Sequence, residues 1–394
     1  MYFYRVDGAL AASALSGLSF PSAPPGEPEL FLVRRGDGPA LFRATQSRHL
    51  GASSGVDWLL ADDPLPRPLP VCDLANPRWR QALLWSKPRS GKKRVHLLAV
   101  GDVGGTLLTA LKLLGGPYLS AIGIRDVNDA TVERYVCEMG QMVWPWKEDT
   151  LPAVEAVPEE RLFQCDVFIF AAAKAVPAVG SGVTDVRMAQ LAANRPLAEH
   201  FARLARAAGF SGLFMVLSDP VDPLCRAAWL ASNTAPDGTF DGRGLLPEQV
   251  RGFGLGVMNA RACDLARRDA RFAAYPTEGR VFGPHGRGLV AANSIAQYDD
   301  ALSRDLTQQV ETANLRIREL GFKPYLAPAV SSGAMQLLLA LQGRWHCSSV
   351  PLGKVWFGVK NRFTPQGTEV ETLPLPPALL DRLRETETTL NAMI

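Results

Sequence analysis

A largely apolar run, followed by a glycine-rich turn and a helical pattern, constrains the fold of this chain most. Val95–Val100 has the length and composition of a buried strand, and glycines fill the turn at residues 101–105. Thr106–Leu114 carries apolar residues at helical spacing. A second strand is predicted over Leu119–Ile124, shortly before Asp126. A strand that enters a helix through a glycine turn and is followed by another strand begins a βαβ unit, so a parallel sheet is expected.

The alternation of strands and helices continues further along the chain. Strands are predicted at Asp166–Ala171 and Leu213–Ser218, with a helix over Asp185–Ala208 that Pro196 should kink or break. The pattern predicts the α/β class with a doubly wound, Rossmann-type parallel sheet.

The C-terminal third has a different pattern, with long helical segments around short β-like pieces. The predicted helices are Arg251–Arg268, Ile295–Leu320 and Pro377–Met393. We expect a second, α+β domain there, which would bind the substrate. With 394 residues, the chain is long enough for two or three domains. The predicted units are residues 1–90, 91–250 and 251–394.

The N-terminal region, residues 1–90, is expected to be a small α+β unit of unknown role. Glu29–Val33 and Ala40–Arg43 are predicted to form a β-hairpin around the glycines at positions 36 and 38. No chemistry is assigned to this region.

Composition excludes several classes of function. Hydrophobic residues make up 47% of the chain and charged residues 21%, which predicts a sizeable globular core. The formal net charge of +3 gives no electrostatic reason to expect nucleic acid as a partner. No apolar stretch approaches the length needed to cross a membrane. The six cysteines are scattered without metal-ligand spacing, which predicts no metal site, a reducing compartment and a cytoplasmic location.

The glycine turn predicts a dinucleotide site formed by Gly101, Asp102, Val103 and Gly104. Gly101 would let a pyrophosphate approach the backbone at the helix N-terminus, and Gly104 would allow close packing of helix on strand. Asp126 would accept hydrogen bonds from the ribose hydroxyls and repel a 2′-phosphate, which favours NAD over NADP. The alternative is an ordinary βαβ turn capped by an aspartate.

Five motifs in order resemble the lactate/malate dehydrogenase family, from Arg94 to near the C-terminus, as a divergent member with an extra N-terminal region. They are the Gly101–Gly104 turn with Asp126; Arg187 ahead of a helix carrying Asn194; Ser218-Asp219-Pro220-Val221-Asp222; Gly252-Phe253-Gly254 before a helix bearing Arg261; and Gly283-Pro284-His285-Gly286.

The resemblance implies a hydride transfer between the nicotinamide of NAD and the carbon of a small 2-keto or 2-hydroxy acid. His285 would be the acid/base on the substrate oxygen, Arg187 would polarise the carbonyl, and Arg261 would bind the substrate carboxylate. Each arginine could instead be solvated or paired with an acid on its helix.

The resemblance also places Ala172, Asn194 and Ser218 at the cofactor, and it implies a homodimer or homotetramer. Residues 174–184 form a small and mostly neutral loop in which Lys174 is the only cation. A substrate with a neutral side chain, in the manner of lactate, is therefore favoured over a dicarboxylate.

The chain departs from the family at three positions near the expected chemistry. Met258 stands where the family has the aspartate that orients the catalytic histidine, Asp219 replaces the usual asparagine, and Arg287 replaces an aspartate. Asp219 could restore a carboxylate near His285, so that ordinary 2-keto acids are reduced. It could instead face a substrate nitrogen, which indicates an imine, an amino compound or an atypical bulky acid.

A third interpretation is an NAD-binding pseudoenzyme or regulatory protein that has lost the dyad. The joint presence of His285, Arg187 and Arg261 favours an active enzyme.

Overall fold

A computed structural model describes residues 1–87, 90–174, 186–322 and 327–394. The strands, in chain order, are β1 (Tyr2–Val6), β2 (Ala9–Ser13), β3 (Leu30–Val33), β4 (Leu41–Gln46), β5 (Pro64–Asp73), β6 (Lys93–Leu98), β7 (Leu119–Arg125), β8 (Ala153–Ala156), β9 (Val167–Phe170), β10 (Leu213–Val216), β11 (Val250–Gly252), β12 (Arg280–Phe282), β13 (Val290–Ala292), β14 (His346–Leu352), β15 (Val355–Thr364) and β16 (Gly367–Val370).

The α-helices are α1 (Trp79–Trp85), α2 (Asp102–Leu114), α3 (Asp129–Gly140), α4 (Val186–Ala207), α5 (Val221–Ser232), α6 (Leu255–Arg268), α7 (Tyr275–Glu278), α8 (Asp300–Glu319), α9 (Ser331–Leu341) and α10 (Pro377–Asn391). Within the described ranges, no helix is long and apolar enough to cross a membrane.

Six neighbouring strands run parallel in the spatial order β8-β7-β6-β9-β10-β11. In chain order they are the third, second, first, fourth, fifth and sixth parallel strands, which is the doubly wound Rossmann order. The direction of winding reverses between β6 and β9, and ligands of such sheets bind at the carboxyl ends of the strands near this point. The predicted fold class is confirmed.

The central strands β9 and β10 are apolar at every position because both faces of the sheet are covered there. In β9, Val167 and Ile169 pack in the core with α2. Phe168 and Phe170 point to the opposite face and pack in the core with α4 and α5. Successive side chains of a strand point to opposite faces, so a strand buried on both sides needs an apolar residue at every position.

Two of the predicted helices differ from the structure for a clear physical reason. The helix expected over Arg251–Arg268 begins only at Leu255, because Val250–Gly252 pairs with β10 as the last parallel strand. Helix α4 is not broken at Pro196. The proline lies on the exposed side of the helix, where water can bind the carbonyl group that loses its backbone donor.

The predicted hairpin of residues 29–33 and 40–43 is wrong. Strand β5 lies between β3 and β4, parallel to the first and antiparallel to the second. The prediction rests on the closeness of the two segments in sequence, but each instead pairs with β5, whose partner residues lie 40 positions from those of β3 and 18–31 positions from those of β4.

Prolines explain how β5 pairs with its two neighbours. Pro64, Pro66, Pro68 and Pro70 occupy every second position, and backbone N–H groups of a strand point alternately to its two sides. The prolines therefore remove donors on one side only. Strand β5 pairs with β4 at Pro64 and over Leu69–Cys72, but with β3 only at Val71–Asp73, beyond the last proline.

Residues 1–90 continue the same sheet through a parallel contact between β4 and β16, where Phe42 is opposite Thr368. A buried carboxylate supports this junction. Glu248 accepts a hydrogen bond from the backbone N–H of Leu41, and burial raises the pKa of Glu248 to about 7. The fully buried guanidinium of Arg251 lies in the same region and donates to Thr368.

Candidate functional site

The glycine turn after β6 leads directly into helix α2, with Gly101 as the N-cap and Asp102 and Val103 in the first helical turn. A Cβ added to Gly104 would lie 2.0 Å from the carbonyl oxygen of Ala99, so Gly104 is required for close packing of helix on strand. A Cβ added to Gly101 would meet no atom within 4 Å. Gly101 thus borders open space at a helix N-terminus, where backbone N–H groups favour an anion.

Asp126 caps this turn. Its carboxylate oxygens accept hydrogen bonds from the backbone N–H groups of Val100 and Asn128, at 2.9 and 3.0 Å. The capping role that was considered as an alternative is therefore present. Each carboxylate oxygen has a second lone pair, so the same group can also accept a ribose hydroxyl.

Ala99 occupies the position of the first glycine of a dinucleotide turn. Its φ is +71°, in the left-handed region that favours glycine. The backbone therefore keeps the conformation of the glycine turn although the residue has a Cβ.

Three predicted cofactor residues connect the loops that follow β9 and β10. Buried Asn194 accepts a hydrogen bond from the backbone N–H of Lys174 at 2.9 Å and donates to the carbonyl of Asp219 at 2.8 Å. Ser218 donates to the carbonyl oxygen of Ala172 at 2.7 Å. These contacts bring all three residues to the carboxyl edge of the sheet beside the switch point.

Hydrogen bonds through both its ring and its backbone N–H hold His285 in place. Its ring Nδ1 lies 3.0 Å from the carbonyl oxygen of Gly254, and its backbone N–H donates to Asp222 at 3.3 Å. A carbonyl oxygen can only accept, so Nδ1 carries the hydrogen of this bond.

Gly254 has a direct steric role as well. It is the N-cap of α6, and a Cβ at this position would lie 2.6 Å from the Cβ of His285. Sequence reasoning placed Gly254 only in a motif and missed its contact with the histidine. Every residue has a backbone carbonyl, so the sequence does not reveal which one contacts the histidine. The sequence feature that could have indicated it is the glycine directly before the helix.

Met258 is fully buried in an apolar core with Leu255, Ala262 and Leu306. The position aligned with the orienting aspartate therefore contributes packing alone. The carbonyl of Gly254, one helical turn earlier, takes over the orientation of His285.

Asp222 is a second residue whose role sequence reasoning missed. It lies in the first turn of α5, is 2% exposed, and accepts hydrogen bonds from the Ser349 hydroxyl and the His285 backbone. It fixes the loop that carries His285 against the sheet.

Asp219 and Arg261 bring opposite charges to the same region. The Oδ1 atom of Asp219 is buried and has no hydrogen-bond partner among the described residues. Arg261 donates from Nη1 to the carbonyl of Val310 at 3.2 Å, while its buried Nε has no partner among those residues either. Burial lowers the pKa of Arg261, and the negative charge of Asp219 partly offsets this effect.

The structure describes only some of the remaining predicted residues. Arg187 is the second residue of α4, and its side chain lies outside the described part of the structure, as do residues 175–185 of the predicted loop. Lys174 and Arg287 are exposed.

A cavity of about 770 Å³ lies away from these residues, at the opposite edge of the parallel sheet. Lys93, Asp166 and Leu213, at the amino ends of three strands, line it together with Trp85 and Arg43 of the N-terminal region. It is therefore separate from the candidate site.

No protein-family model matches the chain, and no curated protein matches its sequence. Solved structures do match. A minor L-lactate dehydrogenase from Enterococcus mundtii in its ligand-bound form has 19% identity and a TM-score of 0.62, with 77% of this chain and 97% of the other covered. Its ligand-free form has the same identity and coverage and a TM-score of 0.57.

A lactate dehydrogenase from a Medee basin deep-sea metagenome library has 16% identity and a TM-score of 0.61, with 77% of this chain and 98% of the other covered. The neighbours are covered almost completely, so this chain has residues beyond their shared fold. The resemblance stated from the motifs is confirmed as a likeness of fold: over 77% of its length, this divergent chain has the fold of the lactate dehydrogenases.

Proposed function

We propose that the chain is an NAD-dependent oxidoreductase that transfers a hydride between nicotinamide and the carbon of a small 2-keto or 2-hydroxy acid. The main support is His285, whose ring is oriented by the Gly254 carbonyl at Nδ1, because a positioned imidazole is suited to act as an acid/base on a substrate. The structural neighbours, which are described as lactate dehydrogenases, support the same reaction class.

The residues present fit a dinucleotide. The open space at Gly101 leaves room for a pyrophosphate on the first turn of α2, around Asp102, Val103 and Gly104. Asp126 would bind the adenosine ribose and disfavour a 2′-phosphate, so we propose NAD rather than NADP. Ala172, Asn194 and Ser218 would adjoin the nicotinamide half. When bound, the cofactor supplies or accepts the hydride.

The protein residues perform the remaining steps. In the reducing direction, His285 in its protonated form would donate a proton from Nε2 to the substrate oxygen as the carbon is reduced. Arg261 would bind the substrate carboxylate, using its Nε donor, which has no acceptor among the described residues. Arg187 would polarise the carbonyl group.

We further propose that the protein works in the cytoplasm as a homodimer or homotetramer, with cofactor binding in residues 91–250 and substrate binding in residues 251–394. Analytical ultracentrifugation tests the assembly.

The function is tested with NADH binding and a panel of 2-keto acids. We expect the purified protein to bind NADH, measured by fluorescence titration, and to oxidise it with at least one acid of the panel. His285→Gln should keep NADH binding and lose turnover by about 100- to 10,000-fold.

His200→Gln is the matched control, because His200 is an exposed histidine on α4. NADH binding with no turnover of any acid would support the pseudoenzyme. Failure to bind NADH would contradict the proposal.

A further inference from the structure

We propose that the substrate is an α-imino acid, which presents a carboxylate to Arg261 and a protonated C=N nitrogen to Asp219. This inference rests on the proposed hydride transfer and names, for the same site, an imino acid in place of the keto acid as the acceptor.

The first observation is a carboxylate oxygen of Asp219. This atom, Oδ1, is buried without a hydrogen-bond partner among the described residues. A buried acceptor left without a donor is costly, and more so when it is charged. A ligand that brings a donor, above all a charged one, relieves this cost.

The second observation is a buried hydrogen-bond donor on a positively charged side chain, that of Arg261. The Nε of Arg261 has no acceptor in the described chain, although Nη1 of the same guanidinium is bound to Val310. Asp219 directly precedes Pro220 and α5, Arg261 lies on α6, and the charge of Asp219 acts on the Arg261 guanidinium. One small molecule that has both an anionic acceptor and a cationic donor satisfies both atoms.

The geometry at His285 removes the competing explanation for Asp219. A carboxylate that compensated for Met258 would accept from the ring of His285, but the Nδ1 of that ring lies at the Gly254 carbonyl. The buried oxygen of Asp219 is therefore left for a ligand.

A simple 2-keto acid fits this pair of groups poorly. Its carbonyl oxygen is only an acceptor and gains negative charge during reduction, so a neighbouring carboxylate repels it. A protonated imine is a donor with positive charge. Asp219 would stabilise that protonated form, which is the form that accepts a hydride.

The reaction balances as follows. The iminium carbon accepts a hydride from a bound reduced nicotinamide dinucleotide, which is thereby oxidised. The π electrons of the C=N bond become the nitrogen lone pair, and the product is an α-amino acid. Its nitrogen then takes up a proton, which His285 can deliver from Nε2.

The test compares pyruvate alone with pyruvate and methylamine, which form the N-methyl imine in solution, by NADH absorbance. We expect kcat/KM to be at least about 10-fold higher when methylamine is present, since a hydrogen bond to a charged group contributes about 1.5–3 kcal/mol. Asp219→Asn should remove this advantage and increase turnover of pyruvate alone. Asp237→Asn, which removes a carboxylate from an exposed turn, should change neither rate.

A binding measurement separates this inference from the proposed function. N-methyl-L-alanine and L-lactate cannot react with NADH, so their effect on the melting temperature of the NADH-loaded protein reports binding alone. We expect the amino acid to bind at least about 10-fold more tightly than lactate to the natural protein, and Asp219→Asn to abolish the difference.

Equal or tighter binding of lactate, or turnover of pyruvate that methylamine does not increase, would overturn the imino-acid inference and leave the oxidoreductase proposal intact. Selective binding of the amino acid without turnover of either mixture would retain the inference about the ligand and refute the proposed activity.

Discussion

The imidazole Nδ1 of His285 lies 3.0 Å from the carbonyl oxygen of Gly254, at the N-terminus of α6. A backbone carbonyl fixes the ring and its tautomer without bringing a full negative charge to it. The orientation that the family obtains from an aspartate is thus obtained from the main chain, while Met258 packs in the core.

Gly254→Ala should displace the ring of His285 and lower kcat without weakening NADH binding. The new Cβ would lie 2.6 Å from the Cβ of His285 and displace the ring. Because a shift of about 1 Å can cost roughly 100-fold in rate, we expect kcat to fall by about 100-fold while the Kd for NADH is unchanged. Gly140→Ala is the control, since a Cβ there meets no atom within 4 Å. An unchanged kcat in Gly254→Ala would refute the steric role.

Gly101→Ala should weaken NADH binding without lowering the stability of the fold. A Cβ at Gly101 meets no protein atom within 4 Å, so the melting temperature should hardly change. The same methyl group would occupy the space proposed for the pyrophosphate, and we expect the Kd for NADH to rise at least 10-fold, a loss of about 1.4 kcal/mol or more. Fluorescence titration measures it.

Gly104→Ala is the matched comparison, because its Cβ would lie 2.0 Å from the Ala99 carbonyl oxygen and should destabilise the fold itself. Normal NADH affinity in Gly101→Ala would place the cofactor elsewhere.

Ala99→Gly should stabilise the turn. A left-handed φ costs a residue with a Cβ about 1–2 kcal/mol, and the substitution removes this cost. The greater freedom of glycine in the unfolded chain offsets about 0.5–1 kcal/mol of the stability gained. We expect a net increase of about 0.5–1 kcal/mol in the free energy of unfolding, measured by urea denaturation. Ala192→Gly, on the exposed side of α4, should instead lose about 1 kcal/mol. A loss in both variants would contradict the strain at Ala99.

Glu248→Gln should change the pH dependence of stability. Burial raises the pKa of Glu248 from 4.5 to about 7, so the folded chain holds this proton more tightly than the unfolded chain does. The resulting stabilisation is fully present below pH 4.5 and is lost as the pH rises through about 7. The stability of the variant relative to the natural protein should therefore increase from pH 5 to pH 7, by at most about 1.4 kcal/mol per pH unit.

Urea denaturation at several pH values measures this difference. Exposed Glu160→Gln should show no such trend. A constant difference between natural protein and Glu248→Gln would mean that the carboxyl is already ionised when folded.

The parallel half of the fold could be predicted because its signals are local. Strand β9 is apolar at every position since both of its faces are covered, and the glycine turn before α2 is required by the close approach of Gly104 to Ala99. The position of Ser218 at the carboxyl edge follows from its place just after β10 once the sheet is parallel.

Pairing between distant segments could not be predicted in the same way. Nothing local in β3 or β4 indicates that β5 separates them, and the three-residue strand β11 is too short to be distinguished from the start of α6. The contact of Gly254 with His285 depends on a backbone atom, which no side-chain pattern records. Whether Arg187 approaches the site stays a prediction.

The parallel alignment of Phe42 with Thr368 makes the first 90 residues a structural part of the main sheet rather than a separate appendage. Trimming them away would uncover the hydrogen-bonding edge of β16 and leave the Glu248 carboxylate without the backbone donor of Leu41. A shortened chain cut to the size of its structural neighbours would therefore be expected to aggregate, and activity measurements belong on the full-length protein.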